Sequence, residues 1–267
     1  MQSLTISLIQ TRLFWEDKQK NLEAFTEKIN ALKGKTEVVV LPEMFTTGFS
    51  MNAIELAETM AGPSVQWMQE TSAANKLVIT GSLIIEEKGN FYNRMIWMLP
   101  DGTFGVYDKR HLFAFAGENK NYTAGQKRLI ASVKGFKINL QVCYDLRFPV
   151  WARQTPSPSE KGGWGPEYDL LIYVANWPEK RKHAWKTLLM ARAIENQCYV
   201  IGVNRVGNDG NDIVYVGDSM VVDPLGEILY HKEQMEDVFT ITLQKDLLQS
   251  IGQKFPFLQD RDTFTIQ

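Results

Sequence analysis

Two short runs in the chain consist of large apolar or aromatic residues, and they constrain the fold more than any other feature. Residues 38–41 read Val-Val-Val-Leu, and residues 170–174 read Leu-Leu-Ile-Tyr-Val. A strand that is apolar on both faces has to be covered on both faces, as in a sheet that lies between two other layers. Strand-like and helix-like stretches alternate along the rest of the chain, with turn signals at residues 89–90 and 100–102. The pattern predicts an α/β fold whose sheets contain parallel and antiparallel pairs and whose outer faces carry helices.

The composition limits the classes of partner. The 267 residues carry a net charge of −2, so we expect no basic surface for nucleic acid or for an anionic membrane. No apolar run approaches the roughly 18 residues of a membrane span, and the N-terminal residues read as a strand rather than a signal peptide. Two cysteines without a secretion signal fit a reducing compartment, so we expect a cytoplasmic protein.

The histidines and cysteines argue against a metal site. The three histidines, His111, His183 and His231, are scattered, and neither C-x-x-C nor H-E-x-x-H occurs. We therefore expect no metal ion and no cofactor.

One segment interrupts the alternation of strands and helices. Pro, Ser and Gly dominate from Gln154 to Pro166, and strand-like sequence resumes directly afterwards. We interpret this segment as a surface loop inside one domain that spans residues 1–267.

Cys143 is the first candidate for a reactive group. It follows the strand-like residues 136–142 and precedes a helix-like stretch at 150–153. A thiol at such a corner is expected to be exposed and to face a helix N-terminus, where the field favours the thiolate. The alternative is a buried cysteine that only packs.

A catalytic thiol needs a base and a group that stabilises an oxyanion. Glu43 directly follows the apolar run and Pro42, and burial raises the pKa of a carboxyl group into a range that suits proton exchange. A loop carboxylate that caps a turn is the alternative for this residue. Lys109 ends another strand-like stretch and is a second candidate for a catalytic group. The alternative is that Lys109 is a solvated charge on the surface. His111 is a third candidate, since histidine is the usual base for cysteine.

Three motifs around these residues resemble the signatures of a known family. They are Leu-Pro-Glu-Met-Phe at 41–45, Tyr-Asp-Lys-Arg-His-Leu-Phe at 107–113 and Val-Cys-Tyr-Asp-Leu-Arg-Phe-Pro at 142–149. The motifs occur in the order Glu43, Lys109 and Cys143, with 66 residues from Glu43 to Lys109 and 34 from Lys109 to Cys143. This order and this spacing are similar to those of the nitrilase superfamily of carbon–nitrogen hydrolases. Further matching blocks, such as Gly-Asp-Ser at 217–219, extend the resemblance over nearly the whole chain. The Val-Ala-Asn-Trp-Pro block at 174–178 resembles the ω-amidase branch.

The resemblance implies amide hydrolysis through a thioester. In that scheme Cys143 is the nucleophile, Glu43 moves the protons, and Lys109 with the backbone N–H of Tyr144 holds the oxyanion. Glu118 matches a fourth family position, a glutamate that helps to place the nucleophile and the lysine. A solvated loop acid is the alternative for Glu118.

Four other residues receive structural interpretations. His111 is not required by the scheme, so it returns to a structural role. Arg192 and Glu195 lie three apart on a helix-like stretch and are expected to brace the structure. Cys198 is expected to pack in the core.

The ω-amidase resemblance implies small anionic substrates, which are 2-oxo dicarboxylic acid monoamides such as 2-oxoglutaramate and 2-oxosuccinamate. Their distal carboxylate needs a cationic or hydrogen-bonding clamp. Arg147 is a candidate for this clamp, and a buried ion pair with Asp145 is an equal alternative. For Met44 and the aromatic residues the alternative is the hydrophobic core. The residues expected to line the pocket are Met44, Phe45, Phe115, Tyr144, Asn176 and Trp177.

The resemblance also implies a four-layer αββα sandwich, in which two mixed sheets lie face to face with helices outside, and a homodimer that pairs through a helical face. Other branches share the Glu-Lys-Cys set. The main alternative function is therefore that of a nitrile hydrolase, an N-carbamoyl amide hydrolase or an aliphatic amidase. A non-catalytic binding module on this scaffold is a second alternative, and the intact Glu43, Lys109 and Cys143 argue against it.

Overall fold

Two β-sheets form the centre of the molecule in a computed structural model, which describes residues 2–155, 157–158 and 164–266. The segment from Gln154 to Pro166, interpreted above as a surface loop, lies partly outside these described residues.

The strands and helices alternate as the sequence pattern predicts. The strands are β1 (Ser3–Gln10), β2 (Val38–Val40), β3 (Val78–Glu87), β4 (Asn90–Met98), β5 (Phe104–Asp108), β6 (Ile130–Val133), β7 (Phe136–Val142), β8 (Ser157–Pro158), β9 (Trp164–Gly165), β10 (Leu170–Ala175), β11 (Tyr199–Asn204), β12 (Val206–Asn208), β13 (Val214–Val222), β14 (Ile228–Glu233) and β15 (Asp237–Gln244). The α-helices are α1 (Lys18–Asn30), α2 (Ala53–Leu56), α3 (Pro63–Asn75), α4 (Glu118–Asn121), α5 (Pro149–Ala152), α6 (Lys182–Asn196) and α7 (Lys245–Lys254). Short 3₁₀ helices are Ala114–Ala116, Cys143–Arg147, Glu179–Arg181 and Phe257–Asp260. Over the described residues, none of the helices has the length and apolar character needed to cross a membrane.

Helix α1 illustrates how local sequence fixes an element. The Asp17 side chain accepts a hydrogen bond from the backbone N–H of Lys20 at 3.1 Å and so satisfies one of the free donors of the first turn. Phe25 and Ile29, four residues apart, are buried on the face that packs on the sheet beneath.

Each sheet has parallel strands at its centre and antiparallel strands at its edges. The first sheet has the order β15-β1-β2-β3-β4-β5, in which β1, β2 and β3 are parallel. The second has the order β12-β13-β11-β10-β7-β6, in which β7, β10 and β11 are parallel, and β14 also pairs with β13. The predicted combination of parallel and antiparallel pairs is therefore confirmed in both sheets.

The apolar run at β2 is covered on both faces. Val38 and Val40 belong to the core between the two sheets, whereas Val39 belongs to the core between the first sheet and helices α1 and α3. On the outer face of the second sheet, α6 packs through Trp185 and Leu189. The four layers are helices, sheet, sheet and helix, so the expected αββα sandwich is confirmed.

Strand direction brings the candidate residues to one edge of each sheet. In the first sheet β2 and β5 run the same way, since β5 is antiparallel to β4 and β4 is antiparallel to β3. Glu43 and Lys109 follow these two strands and therefore share an edge. In the second sheet Cys143 and Asn176 follow the parallel strands β7 and β10. The carboxyl ends of the strands are where open α/β sheets commonly place ligand sites.

Close contact between α6 and β11 depends on Gly202. A Cβ atom at this position would lie 2.5 Å from Leu189 and 2.8 Å from Trp185. We expect Gly202→Ala to lower the free energy of unfolding by about 1–3 kcal/mol, because the added methyl group pushes α6 off the sheet. Urea unfolding measures this change.

Gly252→Ala is the matched control, since Gly252 is exposed in α7 and, apart from the helix's own backbone, no atom of the described residues lies within 4 Å of an added Cβ there. It is expected to raise the free energy of unfolding by about 0.5–1 kcal/mol. Equal effects of the two substitutions would contradict the packing argument.

Candidate active site

A buried cation lies between two carboxylates where the edges of the sheets meet. Nζ of Lys109 donates hydrogen bonds to Oε1 of Glu43 at 2.9 Å and to both carboxylate oxygens of Glu118 at 2.9 Å. All three side chains are 0% exposed. Buried charges of this kind persist only when they are paired and hydrogen-bonded.

Burial and charge act on this cluster in opposite directions. Burial alone would lower the pKa of the Lys109 ammonium group, but the charges of Glu118 and Glu43 outweigh it and raise that pKa. Burial also raises the pKa of Glu118, where the charge of Lys109 opposes the shift and that of Glu43 adds to it. The lysine is therefore a fixed cation over the whole working pH range.

The carboxylate of Glu43 is held on every side. Besides Lys109, its Oε1 accepts a hydrogen bond from Nδ2 of Asn93 at 2.8 Å. Its Oε2 accepts one from the backbone N–H of Asn176 at 2.8 Å, and Nδ2 of Asn176 donates to the Glu43 carbonyl at 2.6 Å. These bonds join the strand ends of the first sheet to those of the second.

Cys143 lies at a sharp turn between β7 and the 3₁₀ helix that follows. Its backbone is left-handed, with φ of 45°, which is uncommon for a residue other than glycine and typical of strained functional positions. The thiol contacts the carbonyl oxygen of Asn176 at 4.0 Å. Through this contact and the bonds of Asn176 to Glu43, the thiol and the carboxylate share one neighbour.

The expectation of an exposed thiolate at Cys143 is wrong. Cys143 as a whole residue is only 9% exposed. Burial, and after it the negative charge of Glu43, raises the pKa of the thiol well above its usual value. The 3₁₀ helix that begins at Cys143 has five residues and α5 has four, so neither is long enough to place a strong helix dipole at the sulfur atom. The resting group is a neutral thiol.

Asp145 fastens the turn at Cys143 to the segment that follows β5. Its carboxylate accepts hydrogen bonds from the backbone N–H groups of Val142 at 3.0 Å and His111 at 2.9 Å, and from the hydroxyl group of Tyr107 at 2.7 Å. Nδ1 of His111 lies 2.8 Å from the same carboxylate. His111 thus takes the structural place expected for it.

Arg147 does not form the alternative pair with Asp145. Among the described residues, no carboxylate lies within 4.0 Å of its guanidinium group, which instead lies over the ring of Trp177 with 5.0 Å to the centroid. Arg147, Tyr144, Trp177 and Asn176 line a cavity of about 60 Å³ that also reaches Cys143 and Lys109.

Three of the residues expected to line this cavity lie elsewhere. Met44 and Phe45 are buried in other clusters, and the ring of Phe45 packs 5.5 Å from that of Phe25 in the core under α1. The left-handed backbone of Met44, with φ of 43°, turns the chain after Glu43 and directs both side chains away. Phe115 is 88% exposed and outside the cavity, because the 3₁₀ helix Ala114–Ala116 projects it into solvent. Their assignment to the pocket is wrong.

The structural interpretations of Arg192, Glu195 and Cys198 agree with the structure. Arg192 pairs with Glu195 at 3.0 Å and donates to the carbonyl group of Leu146. Cys198 is fully buried in the core. Within the described ranges, no group of three or more His, Cys, Asp or Glu side chains is placed to hold a metal ion.

Known proteins share this arrangement of strands and motifs. Residues 5–253 match the family described as carbon–nitrogen hydrolase. The chain belongs to the carbon–nitrogen hydrolase family. Members of this family are hydrolases that act on carbon–nitrogen bonds other than peptide bonds.

Several carbon–nitrogen hydrolases resemble this chain over nearly all or all of its length. It is 43% identical to "Omega-amidase YafV" of Yersinia enterocolitica over 100% of both chains. It is 29% identical to "2-oxoglutaramate amidase" of Bacillus subtilis, with 96% of each chain covered. The crystal structure of XC1258 from Xanthomonas campestris, a CN-hydrolase superfamily protein with an arsenic adduct in its active site, is 44% identical and gives a TM-score of 0.96 over 100% of both chains. These likenesses confirm the predicted resemblance to the ω-amidase branch.

Asn93 is a residue of this carbon–nitrogen hydrolase site that the sequence motifs do not include. Its Nδ2 donates to Glu43 and also to Oε1 of Glu118 at 3.2 Å, so one amide bridges the two carboxylates. The only signal in the sequence is a polar residue in the middle of a strand, where asparagine is disfavoured unless its side chain is satisfied.

Replacement of Asp145 tests how the turn of this carbon–nitrogen hydrolase is held. Asp145→Asn places an amide N–H₂ against groups that are themselves donors, so buried donors lose their acceptor. We expect the free energy of unfolding to fall by about 2 kcal/mol or more, with a loss of amidase activity. Urea unfolding and ammonia release measure the two effects.

Asp101→Asn is the control, since Asp101 is exposed in the β4–β5 turn and, among the described residues, its side chain bonds only to Thr103. It is expected to change the free energy of unfolding by less than about 0.5 kcal/mol. If Asp145→Asn were as stable and as active as this control, Asp145 would not be needed to position the turn at Cys143.

Proposed function

We propose that this carbon–nitrogen hydrolase is an ω-amidase, which cleaves the terminal amide of a small 2-oxo dicarboxylic acid monoamide to the acid and ammonia. The observation that carries the proposal is the buried cluster of Lys109, Glu43 and Glu118 beside the thiol of Cys143, at one end of a cavity whose other charged groups are cationic. The relatives from Yersinia enterocolitica and Bacillus subtilis match 100% and 96% of this chain and are named an omega-amidase and a 2-oxoglutaramate amidase. Their names support the choice of substrate.

The first step forms a covalent bond between enzyme and substrate. The sulfur atom of Cys143 attacks the amide carbon while its proton passes to Glu43. The carbonyl oxygen becomes an oxyanion, which the ammonium group of Lys109 and the backbone N–H of Tyr144 stabilise. Tyr144 is the second residue of its 3₁₀ helix, and the first N–H groups of a helix have no acceptor within it.

The second and third steps release ammonia and then the acid. Glu43 returns the proton to the nitrogen, the carbon–nitrogen bond breaks, and ammonia leaves a thioester on Cys143. Glu43 next takes a proton from water, whose oxygen attacks the thioester carbon. The carbon–sulfur bond breaks, the sulfur atom regains a proton from Glu43, and the acid leaves.

The raised pKa of the thiol fits this order of events. A neutral thiol beside a carboxylate can transfer its proton as the carbon–sulfur bond forms, so no thiolate has to persist in a buried site. Glu118 and Asn93 act through their neighbours, because their hydrogen bonds fix Lys109 and Glu43. The homodimer, the cytoplasmic location and the single domain over residues 1–267 stay predictions.

Ammonia release from a panel of substrates tests the proposed function. We expect the highest kcat/KM for 2-oxoglutaramate, compared with glutamine, an N-carbamoyl amino acid and a simple nitrile. Cys143→Ala should lower turnover by about 10⁴-fold or more, because the nucleophile is lost. Cys198→Ala, which changes the other buried cysteine, should keep turnover within about twofold.

Three outcomes would contradict the proposal. Fastest ammonia release from the nitrile would assign the protein to another branch. Full turnover by Cys143→Ala would rule out a thioester on Cys143. Intact-mass spectra that show no acyl adduct on the wild-type protein after substrate is added would also contradict this mechanism.

Glu43→Gln should change catalysis and thiol reactivity in opposite directions. Turnover of the amide is lost because no base remains. The charge that raised the pKa of the Cys143 thiol is also lost, so that pKa falls and more thiolate is present at pH 8. We expect alkylation by iodoacetamide at pH 8 to become at least threefold faster than in the wild-type protein, as followed by intact mass. Slower alkylation would show that Glu43 favours the thiolate.

A further inference from the structure

Two arginine side chains that line the cavity lack an acidic partner. They are Arg147, in the turn that begins at Cys143, and Arg181, at the start of α6. Among the described residues, no carboxylate lies within 4.0 Å of either guanidinium group, and none lines the cavity. Lys109 also lines the cavity, but Glu43 and Glu118 neutralise it. The free charge of the cavity is therefore that of the two arginines.

In the described part of the chain, the other half-buried or buried arginines donate hydrogen bonds to acceptors within the protein, whereas the side chains of Arg147 and Arg181 donate none. The fully buried Arg205 also has no acidic partner, but it donates to the backbone carbonyl groups of Val206, Leu13 and Asn208. Arg94 pairs with Asp108 at 2.6 Å, and Arg128 pairs with Glu167 at 2.7 Å. Cations that are removed from water are normally paired in this way. A pair of unpartnered guanidinium groups beside a nucleophile indicates that the ligand supplies the anion.

Aromatic rings hold both guanidinium groups in place. Arg147 lies over Trp177, and Arg181 lies over Phe113, each with 5.0 Å to the ring centroid. Nε1 of Trp177 donates a hydrogen bond to the carbonyl group of Arg181 at 2.9 Å. The ring on which Arg147 stacks is therefore bonded to the backbone of Arg181. Such stacking orients the planar donor groups before a ligand arrives.

Phe113 links Arg181 to the reacting groups. Its backbone N–H donates to Oε2 of Glu118 at 2.5 Å, and its ring lies 4.9 Å from that of Tyr144. Arg181 is 38 residues from Cys143 in the sequence, and only the position of α6 beside the second sheet brings it to the cavity.

We propose that Arg181 and Arg147 together bind the 2-oxo acid end of the substrate and select 2-oxo amides against the corresponding 2-amino amides. This inference rests on the proposed function for the amide end of the site. Guanidinium groups only donate hydrogen bonds, and both the carboxylate and the adjacent oxo group only accept them. In glutamine an ammonium group replaces the oxo group, which puts a donor and a like charge against the arginines.

The test compares Arg181→Met with the wild-type protein on 2-oxoglutaramate and on glutamine. We expect kcat/KM for 2-oxoglutaramate to fall at least tenfold, mainly through a higher KM. The ratio of kcat/KM for 2-oxoglutaramate to that for glutamine should narrow at least tenfold. Arg181→Lys should lie between the two proteins, since it keeps the charge and loses the planar pair of donors.

Lys180→Met is the matched control, because Lys180 is exposed, precedes Arg181 directly and does not line the cavity. It removes one positive charge from the same helix start and should narrow the ratio less than twofold. An unchanged ratio in folded Arg181→Met, or an equal change in Lys180→Met, would overturn the assignment.

A binding measurement separates this inference from the proposed function. In a Cys143→Ala background, calorimetric titration with 2-oxoglutarate should give a Kd at least tenfold weaker when Arg181 is also replaced by Met. If the wild-type protein released no ammonia from 2-oxoglutaramate but this loss of binding were observed, the proposed function would fail and the clamp would stand. If Cys143→Ala bound 2-oxoglutarate equally well with and without Arg181→Met, the assignment of Arg181 to the 2-oxo acid end would be wrong, even if the amidase assay succeeded.

Discussion

The pairing of one buried lysine with two buried carboxylates is the interaction on which the rest of the site depends. Removing ions from water costs several kcal/mol for each, so Lys109, Glu43 and Glu118 are stable in the interior only while all three are present and hydrogen-bonded. They come from three separate segments of the chain, and Asn176 adds a donor from the second sheet. Correct closure of the two sheets is therefore a condition for satisfying these charges.

The same cluster sets the state of the thiol. Burial raises the pKa of the Cys143 thiol, and the charge of Glu43 raises that pKa further, whereas the charge of Lys109 opposes the shift. A site of this kind differs from one in which a helix end stabilises a preformed thiolate. Its chemistry depends on proton transfer at short range, so the position of the turn, which Asp145 fixes, matters as much as the identity of the nucleophile.

The sequence predicts most of what is periodic or contiguous, and it misses what depends on backbone turns and tertiary contacts. The apolar runs predict the layered sheets because a strand buried on both faces leaves a direct mark. Glu43, Lys109 and Cys143 each follow a strand, so strand direction alone brings them to the edges that meet. The prediction that Phe45 lines the pocket fails because the left-handed turn at Met44 has no signature in the sequence. Asn93 and Arg181 are distant from the motifs in the sequence but close to the site in space. The local sequence pattern cannot identify such residues, since an isolated asparagine or arginine has many possible neighbours.

The cavity has two ends with different physical requirements. At the reacting end, charges are buried and neutralised, so little can change there without exposing an unpaired ion. At the other end, the guanidinium groups of Arg147 and Arg181 are half-buried and rest on aromatic rings, so substitution there leaves no buried charge unpaired. Substitution at this end of the cavity is therefore expected to change substrate preference at a smaller cost in stability than substitution of Glu43 or Lys109. One scaffold can in this way serve hydrolases that share a thioester mechanism and differ in substrate.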